Sequence, residues 1–473
     1  MSIRVLHLPL VIANTAPVLS KYLKLMGVDS KVVSYFRTWL GYEGDINLEL
    51  DHLSAPEKQK KIKAFVDHFF ESEINAYDII HIHFFETLST GRSFGGWRSH
   101  PDREEYWDLQ AIKELGKKII VSSWGSDVRN NSKIIYYQLM FDDNNIVLPY
   151  PPLNRKDQFL NIWKFSQYAD AIIHGDTEHR RHTPFGKTIP IPIDPEPYDA
   201  VRTAIDQVDN KFSILTAPSN QFYKGSKYAL RLMDKLKSQY GDHLDYRIIH
   251  GQSYEEALKS YPGTGLAIEG INFTTGLFAL EAMYLGRRVL CCMKANEFSI
   301  EDPKLSPLFL SVNNEHELYE QAVACIKGQI PIGSEILKDF VLEHFSAEKV
   351  ARQYKDIYEK VLANEPLSFI INREWLREFD LFIRQQKIDQ RDYYPQVTDL
   401  LIRKKHWQAL FHEINMGLGL NNDCDLLAKY IFALEATGQH DQAERTRKNN
   451  LKITLIDDFK KYYVRAKTLI DDK

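Results

Sequence analysis

Two loops of this sequence carry residues suited to holding a phosphate group. In the first, Thr216–Ser226 (TAPSNQFYKGS), Lys224 supplies a positive charge, and Ser219 and Gly225 allow a tight turn. The loop follows a short β-type run and leads into a helical pattern, so N–H groups at the helix start would face the same ligand. A diphosphate needs both a charge and directed donors. A capped turn with a surface lysine is the alternative interpretation.

The second loop belongs to Glu269–Gly286 (EGINFTTGLFALEAMYLG), where Thr274, Thr275 and Gly276 form a small polar turn before a helical pattern. Its hydroxyl and N–H groups again suit a phosphate. Glu281 lies further along this helix among apolar residues. A carboxylate in such a place is costly to bury alone, so we expect either an internal ion pair or hydrogen bonds to both hydroxyls of a ribose.

Short β-type runs alternate with helical patterns on both sides of these loops. This alternation predicts an α/β protein with two doubly wound parallel sheets. Ligands of such sheets bind in the crevice at the carboxyl ends of the strands, which is where both loops fall. The runs are Ile3–Pro9, Val32–Tyr35, Asp78–Phe84, Lys117–Ser123, Asp170–His174, Phe212–Ala217, Asp245–His250, Gly265–Glu269 and Arg288–Cys292.

A chain of 473 residues exceeds what one core usually supports, so several domains are expected. The proline-rich segment Pro190–Tyr198 and the polar stretch after it suit a linker. The helical pattern Ser346–Leu362 closes the second α/β lobe. We therefore predict an N-terminal α/β domain over residues 1–195, a second α/β domain over 196–364 and a helical extension over 365–473.

The extension contains a weak internal repeat. His406, Gln408 and Ala409 recur 34 positions later as His440, Gln442 and Ala443, which is the period of tetratricopeptide helix pairs. Gly438 and Ala443 would then be the turn glycine and the small packing residue. An unrelated helical tail is the alternative, and either form could bind a protein partner.

Composition excludes some classes of protein. Sixty Lys and Arg against 64 Asp and Glu leave a formal net charge of −4, without the basic excess of a nucleic-acid-binding protein. The basic runs 58–63 and 403–406 suit peripheral contact with an anionic membrane, although most such runs are solvated helix faces. Four cysteines show no metal-ligand or disulfide spacing, and no apolar run is long enough to span a membrane. We expect a cytoplasmic protein, at most peripheral to the membrane.

Several segments together resemble one family. PSNQFYKGS, HGQSYEEAL and GLFALEAMYLGRRVL closely resemble the donor lobe of family-four retaining GT-B glycosyltransferases. DIIHIHF and LGKKIIVSSWGSDVR resemble the second and third strands of its amino lobe, and ADAIIHGDTEHRR and PIPID resemble its last strand and crossover. The similarity covers residues 3–362. It implies two Rossmann-like domains that face a cleft.

The resemblance also implies roles for individual residues. Lys224 would contact the donor diphosphate and Glu281 the ribose of the nucleotide. Further donor-side residues would be Ser219, Asn220, Glu269, Thr274, Thr275 and Gly276. On the amino lobe, Asn14, Gly125, Ser126 and Asp127 would line the cleft near the donor or the acceptor.

Three departures from the family pattern bear on the site. The usual Arg before the phosphate Lys is missing, and that region offers only Asn220 and Gln221. Phe273 stands where the family often has a second Glu, and Glu269 is a candidate replacement. Trp124 stands where the family often has His. The family's contacts with the acceptor and the sugar are therefore the part of the resemblance that applies least to this chain.

The implied reaction moves a hexose-type sugar from a nucleotide diphosphate donor to a hydroxyl of a glycan, lipid-linked or protein acceptor with retention. Neither a metal nor a cofactor is expected, and Lys224 with the helix N–H groups would stabilise the leaving diphosphate. We assign no catalytic base, because His81, His83 and His174 have equally good structural interpretations. A degenerate scaffold that uses the helical extension is the alternative. An epimerase or phosphorylase would need acid–base residues that we cannot identify, and no GxGxxG follows the first strand to favour NAD.

Overall fold

The structure is a computed structural model, and its contacts divide the chain into two units, Met1–Glu359 and Lys360–Lys473. The residues it describes are 2–37, 40–93, 95–129, 155–205, 211–219, 221, 224–261, 263–271, 276–292, 308–331, 335–385, 398–399, 401–403, 405, 407, 410–411, 414, 424–450, 454 and 457–471.

The first sheet of the unit Met1–Glu359 is parallel. Its strand order is β9-β8-β7-β4-β1-β2-β3, and Val5 of β1 pairs with Ser30 of β2 and Ile79 of β4. Strands β5 and β6, which come between β4 and β7 in the chain, pair with each other as a short antiparallel ribbon. The strands are β1 Arg4–Leu8, β2 Asp29–Ser34, β3 Ile46–Asn47, β4 Ile79–His83, β5 Thr90–Gly91, β6 Trp97–Arg98, β7 Lys118–Ser123, β8 Ala171–His174 and β9 Phe185–Thr188.

The second sheet of the same unit is also parallel, with the order β11-β10-β12-β13-β14. Its strands are β10 Phe212–Thr216, β11 Leu244–Ile248, β12 Leu266–Ile268, β13 Arg288–Cys291 and β14 Leu310–Ser311. Residues of the inner strands, such as Ile214 and Leu266, are fully buried because helices cover both faces of the sheet. This agrees with the predicted alternation of buried strands and helices.

Helices connect the strands of both sheets and continue into the second unit. The α-helices are α1 Thr15–Leu25, α2 Ala55–His68, α3 Trp107–Glu114, α4 Arg155–Tyr168, α5 Glu196–Ile205, α6 Ser226–Tyr240, α7 Tyr254–Leu258, α8 Leu277–Tyr284, α9 Glu315–Ile326, α10 Glu335–Phe345, α11 Ala347–Leu362, α12 Arg373–Gln385, α13 Cys424–Ala436, α14 His440–Asn449 and α15 Asp457–Asp471.

The predicted linker is more ordered than its composition suggests. Ile193 forms a bridge with Ser346, because its N–H donates to Phe345 O over 2.7 Å and its carbonyl accepts from Ala347 N over 2.8 Å. Part of the expected linker is the helix α5, whose Tyr198 is buried. A proline-rich composition predicts a connection, but it does not reveal that the connection packs into the core.

Helix α11 follows the second sheet and returns to the first. Its Tyr358 hydroxyl lies 2.7 Å from His81 Nδ1 on β4, and its Tyr354 hydroxyl lies 3.5 Å from Ser122 Oγ on β7. The two α/β lobes of the first unit are thus joined at both the 193 and the 354–358 segments. The boundary at residues 195 and 196 stays a prediction.

The second unit is mainly helical in its described residues, with the two-residue strand Ile370–Ile371 (β15) as an addition to the predicted pattern. Leu427, Ile431 and Ala443 contribute to a small core. Gly438, at φ +77°, turns the chain between α13 and α14, and Ala443 is 1% exposed. His406, Gln408 and Ala409 lie outside the described residues, so the repeat stays a prediction. None of the described helices is long and apolar enough to cross a membrane.

Candidate functional site

The two predicted phosphate loops lie side by side at the switch point of the second sheet. The chain leaves β10 toward β11 on one side and later builds β12 and β13 on the other, so the loops after β10 and β12 flank a crevice. Residues from both loops line one cavity there. They include Thr216, Pro218, Lys224, Ser226, Glu269 and Phe278.

Lys224 and Glu269 form an ion pair inside this cavity. The Lys224 ammonium lies 2.9 Å from Glu269 Oε1, and the two side chains are 23% and 3% exposed. The carboxylate is fixed further, because Oε1 accepts from Gly270 N over 2.8 Å and Oε2 accepts from Ala279 N over 3.0 Å. Glu269 therefore holds Lys224 and the first turn of α8 together.

Two glycines make room for the lysine side chain. A Cβ atom at Gly270 would lie 2.6 Å from Lys224 Cδ, and one at Gly276 would lie 2.9 Å from its Nζ. The peptide N–H of Ile271 donates to Lys224 O over 2.8 Å, which anchors the lysine backbone as well. Larger residues at 270 or 276 would have to displace the lysine.

Ser226 is the first residue of α6 and lines the same cavity. It is 6% exposed, and its Oγ atom is buried without a hydrogen-bond partner among the described residues. Gly225 precedes it in the left-handed region at φ +63°, a conformation that glycine adopts at little cost. The cavity therefore combines an ammonium group, an unused hydroxyl and the positive end of a helix dipole.

Glu281 lies on α8 in a cluster of tyrosines. Its Oε1 accepts from the Tyr198 hydroxyl over 2.7 Å, and its Oε2 accepts from the Tyr261 hydroxyl. The Tyr254 hydroxyl bonds in turn to that of Tyr198. Burial raises the pKa of Glu281, and the tyrosine hydroxyls oppose this shift. Both carboxylate oxygens thus have partners within the protein, and the ribose contact stays a prediction.

The loop after β7 carries the predicted amino-lobe residues. The Asp127 carboxylate accepts from Gly125 N over 2.7 Å and from Trp124 N over 3.2 Å, which closes the turn. Gly125 has φ +149°, and a Cβ atom there would lie 3.1 Å from Arg129 Nη1. Arg129 itself pairs with the buried Glu178, whose Oε2 lies 2.9 Å from its Nη2. The loop is therefore tied to the end of β8.

Two carboxyl groups near this loop hold their protons unusually strongly. Desolvation raises the pKa of Asp127 to about 7. Burial also raises the pKa of Glu86 to about 7, with a smaller contribution from the charge of Asp127. Ser93 N and Oγ donate to Glu86 Oε1 over 2.9 and 2.6 Å, while Glu86 Oε2 is buried without a described partner. Buried, partly satisfied carboxyls of this kind are candidates for a functional site.

Replacing Glu86 by glutamine should remove part of the pH dependence of stability. The unfolded carboxyl ionises near its ordinary pKa of 4.5, whereas the folded one keeps its proton to about 7. The free energy of unfolding of the wild type should thus fall by roughly 3 kcal/mol as pH rises through this window. Urea unfolding at pH 4 and pH 8 measures it.

The Glu86→Gln variant should therefore have a higher free energy of unfolding than the wild type at pH 8 but not at pH 4. Glu255→Gln, at an exposed side chain on α7, is the control and should show no such difference. An equal effect of Glu86→Gln at both pH values would contradict the assignment.

Three buried histidines form a network across β1 and β4. Trp124 Nε1 can only donate, so His83 Nδ1 accepts its hydrogen bond over 3.0 Å. The remaining proton of neutral His83 is then on Nε2, which donates to His7 Nδ1 over 3.0 Å. His81 is held by Tyr358 and by Ser122 Oγ at 2.7 Å. Burial lowers the pKa of His7 to about 3 and that of His83 well below its usual value.

These histidines are also the candidate metal ligands of the described residues. One nitrogen of each lies within 4.8 Å of the others. Both ring nitrogens of His81 and of His83 already have protein partners, and zinc would need nitrogens at about 2.0–2.1 Å from the ion. The arrangement fits a neutral hydrogen-bond network better than a ligand set. Metal independence stays a prediction.

The predicted residues are brought together only in part. Lys224 and Glu269 line the cavity, and Gly276 lies against both of their side chains. Ser219 is exposed on the loop after β10. Asn14, at φ 55°, is the N-cap of α1 without a side-chain cap bond, and Gly125, Ser126 and Asp127 lie beyond β7. The hydrogen bonds of the described residues do not connect this second group to Lys224. Asn220, Phe273, Thr274 and Thr275 lie outside the described residues.

Sequence reasoning missed several residues of the site. Ser226 could have been noticed, because it follows Lys224 and Gly225 at the predicted helix start. Tyr198, Tyr254 and Tyr261 gave no signal, since tyrosine is common in cores. Tyr254 also joins the lobes, because its N–H donates to Leu40 O over 3.0 Å and its ring lies 5.4 Å from that of Tyr42.

No protein-family profile matches the chain, and no curated protein resembles it significantly in sequence. Sucrose-phosphate synthase from Thermosynechococcus elongatus superimposes with a TM-score of 0.50 at 13% identity, over 77% of this chain and 100% of that one. A glycosyltransferase from Rickettsia africae has a TM-score of 0.48 at 13% identity, over 77% and 100%. The chain therefore has the GT-B fold of two parallel α/β lobes, followed by a helical region.

Proposed function

We propose that this protein is a nucleotide-sugar-dependent glycosyltransferase. The proposal rests on the cavity at the switch point of the second sheet, which Lys224 and Ser226 both line at the start of α6, and on the buried Ser226 hydroxyl. A charge, a hydroxyl donor and a helix N-terminus suit a phosphate group. The GT-B fold gives this cavity the position in which open α/β sheets bind ligands.

The proposed reaction moves a hexose-type sugar with retention of configuration, and without a metal. Lys224 and the helix dipole would stabilise charge on the departing phosphate, which is the usual source of most of the catalytic effect in such a site. The acceptor would be a hydroxyl of a glycan, a lipid-linked sugar or a protein. Gly125–Asp127 and Asn14 are the proposed amino-lobe contacts, and we propose no catalytic base.

A non-enzymatic scaffold is the second candidate. It is favoured by the tyrosine hydroxyls that occupy both oxygens of Glu281 and by the Glu269 carboxylate that neutralises Lys224. In that case the helical region 365–473 would bind a protein partner. Co-purification that is lost on deleting this region, without any nucleotide binding, would support the scaffold.

Peripheral membrane contact is a separate proposal, based on the basic run 58–63 on α2. Co-sedimentation with vesicles of anionic and of neutral lipid tests it. Binding that does not depend on the anionic lipid would contradict the proposal.

Lys224→Ala should reduce the stabilisation by a donor nucleotide to about half or less. A ligand at about 100 times its Kd raises the free energy of unfolding by about 2.7 kcal/mol, which is visible as a higher Tm. We expect one of the UDP-, GDP- or dTDP-sugars to raise the Tm of the wild type and to be hydrolysed slowly. Loss of the ammonium group should weaken its binding about tenfold or more.

Lys259→Ala is the matched control, because Lys259 is 69% exposed and pairs with its exposed helical neighbour Glu255. It should bind the donor like the wild type. If no donor raises the Tm of the wild type, the transferase proposal fails and the scaffold becomes the better explanation.

A further inference from the structure

The two predicted phosphate-binding helix starts are not equivalent in the structure. At the start of α8, the N–H of Ala279 donates to Glu269 Oε2 over 3.0 Å, so a carboxylate of the protein already lies there. The same carboxylate accepts from Gly270 N and pairs with the Lys224 ammonium. An ammonium group and two N–H donors are what a phosphate group would otherwise use.

The start of α6 has no such internal anion among its described contacts. Ser226 lines the cavity and is 6% exposed, and its Oγ atom is buried without a partner among the described residues. The Lys224 side chain remains 23% exposed, and an ammonium group has three N–H donors, so the bond to Glu269 leaves others for a ligand. A buried hydroxyl without a partner is normally rare, and this one is free to donate to a water molecule or to a phosphate oxygen that enters the cavity.

The charges of the two loops support the same distinction. Loops 216–226 and 268–276 contain one basic residue, Lys224, and one acidic residue, Glu269, so their net charge is zero. A second phosphate placed next to Glu269 would meet a like charge at short range, which is unfavourable in a partly buried site. A single phosphate next to Ser226 and Lys224 would not meet a like charge there.

We infer that Glu269 is a built-in anion that fills one of the two predicted phosphate positions, which leaves a single phosphate subsite formed by Ser226 and Lys224. This inference rests on the proposed function, because it concerns how the same cavity binds a nucleotide donor. As a consequence, the protein should bind a nucleoside diphosphate only slightly more tightly than the corresponding monophosphate. The second phosphate of a diphosphate donor lies outside the subsite.

Calorimetric titration of the full-length protein with the pairs UMP and UDP, GMP and GDP, and dTMP and dTDP tests the inference. For the base that binds, the two Kd values of the wild type should agree within about threefold, because the second phosphate adds little net attraction. The Kd values of inorganic phosphate and pyrophosphate should likewise differ by no more than about threefold. A pyrophosphate affinity more than about tenfold above that of phosphate would overturn the inference without any variant.

Glu269→Gln should strengthen diphosphate binding by about tenfold and monophosphate binding by less, because it removes the like charge and keeps the side-chain volume. Ser226→Ala should weaken both by about tenfold, the usual effect of losing a hydrogen bond to a charged group. Ser213→Ala is its matched control. Ser213 Oγ on β10 is also buried without a described partner but does not line the cavity.

Different failures have different meanings. Unchanged or weaker diphosphate binding by a folded Glu269→Gln variant would overturn the built-in anion and leave the proposed function intact. Equal binding by Ser226→Ala and Ser213→Ala would overturn the Ser226 subsite. No nucleotide or pyrophosphate binding by the wild type or by Glu269→Gln would overturn both the inference and the proposed function.

Discussion

Replacing Lys429 by alanine is expected to lower the free energy of unfolding of the second unit by about 3–5 kcal/mol, the usual cost of breaking a buried ion pair from one side. Lys429 on α13 is fully buried. Its ammonium lies 2.5 Å from Asp399 Oδ1 and 2.6 Å from Asp425 Oδ2, and it donates to Thr398 Oγ1 over 2.9 Å.

Alanine would remove the cation that lies between two buried carboxylates. Arg465 lies 2.7 Å from Asp399 Oδ2 and can compensate that carboxylate in part. Asp425 would lose the ammonium group that lies 2.6 Å from its Oδ2. Protonation of a carboxyl or entry of water would then be needed, and both cost stability.

Hydrogen exchange of the full-length protein provides the measurement. Peptides from Cys424–Ala436 should exchange much faster in Lys429→Ala than in the wild type. Lys448→Ala is the matched control, because its pair with Glu444 is exposed and should contribute no more than about 1 kcal/mol. Equal exchange in the two variants would show that the buried pair does not stabilise α13.

Glu281→Ala is expected to destabilise the lobe that contains the second sheet by about 2–5 kcal/mol, because it leaves the hydroxyls of Tyr198 and Tyr261 without their acceptor in a buried site. These tyrosines come from α5 and from the segment after α7, so the carboxylate joins elements that are distant in the chain. Glu281→Gln keeps the side-chain volume and one carbonyl oxygen. It should cost no more than about 1–2 kcal/mol.

The pair of variants separates stability from nucleotide binding. Urea unfolding measures the first, and titration with the donor nucleotide measures the second. If Glu281 contacts ribose as the family resemblance implies, folded Glu281→Gln should lose nucleotide affinity. Unchanged affinity in Glu281→Gln would assign Glu281 to the packing of the lobe alone. Similar stability of Glu281→Ala and Glu281→Gln would contradict the tyrosine-cluster argument.

Most of the fold could be predicted from local patterns. Runs such as DIIHIHF and FSILTA became β4 and β10 within one or two residues of the predicted ends, because a strand buried on both faces needs a continuous apolar run. Lys224 and the start of α6 were also predictable, since the charge and the helix start are neighbours in the chain. The helix α5 was not predicted, because its proline-rich surroundings indicate a linker and only packing against the core makes this segment helical.

Pairings between distant residues were decided only by the tertiary structure. Glu269 meets Lys224 across 45 positions, and Glu281 meets Tyr198 across 83. A sequence shows that a buried carboxylate needs a partner, but it does not show which of many lysines or tyrosines folding brings within 3 Å. Chain order alone therefore determined the two lobes and the loops between their strands, whereas the packing of α5, α6 and α8 decided which groups each carboxylate contacts.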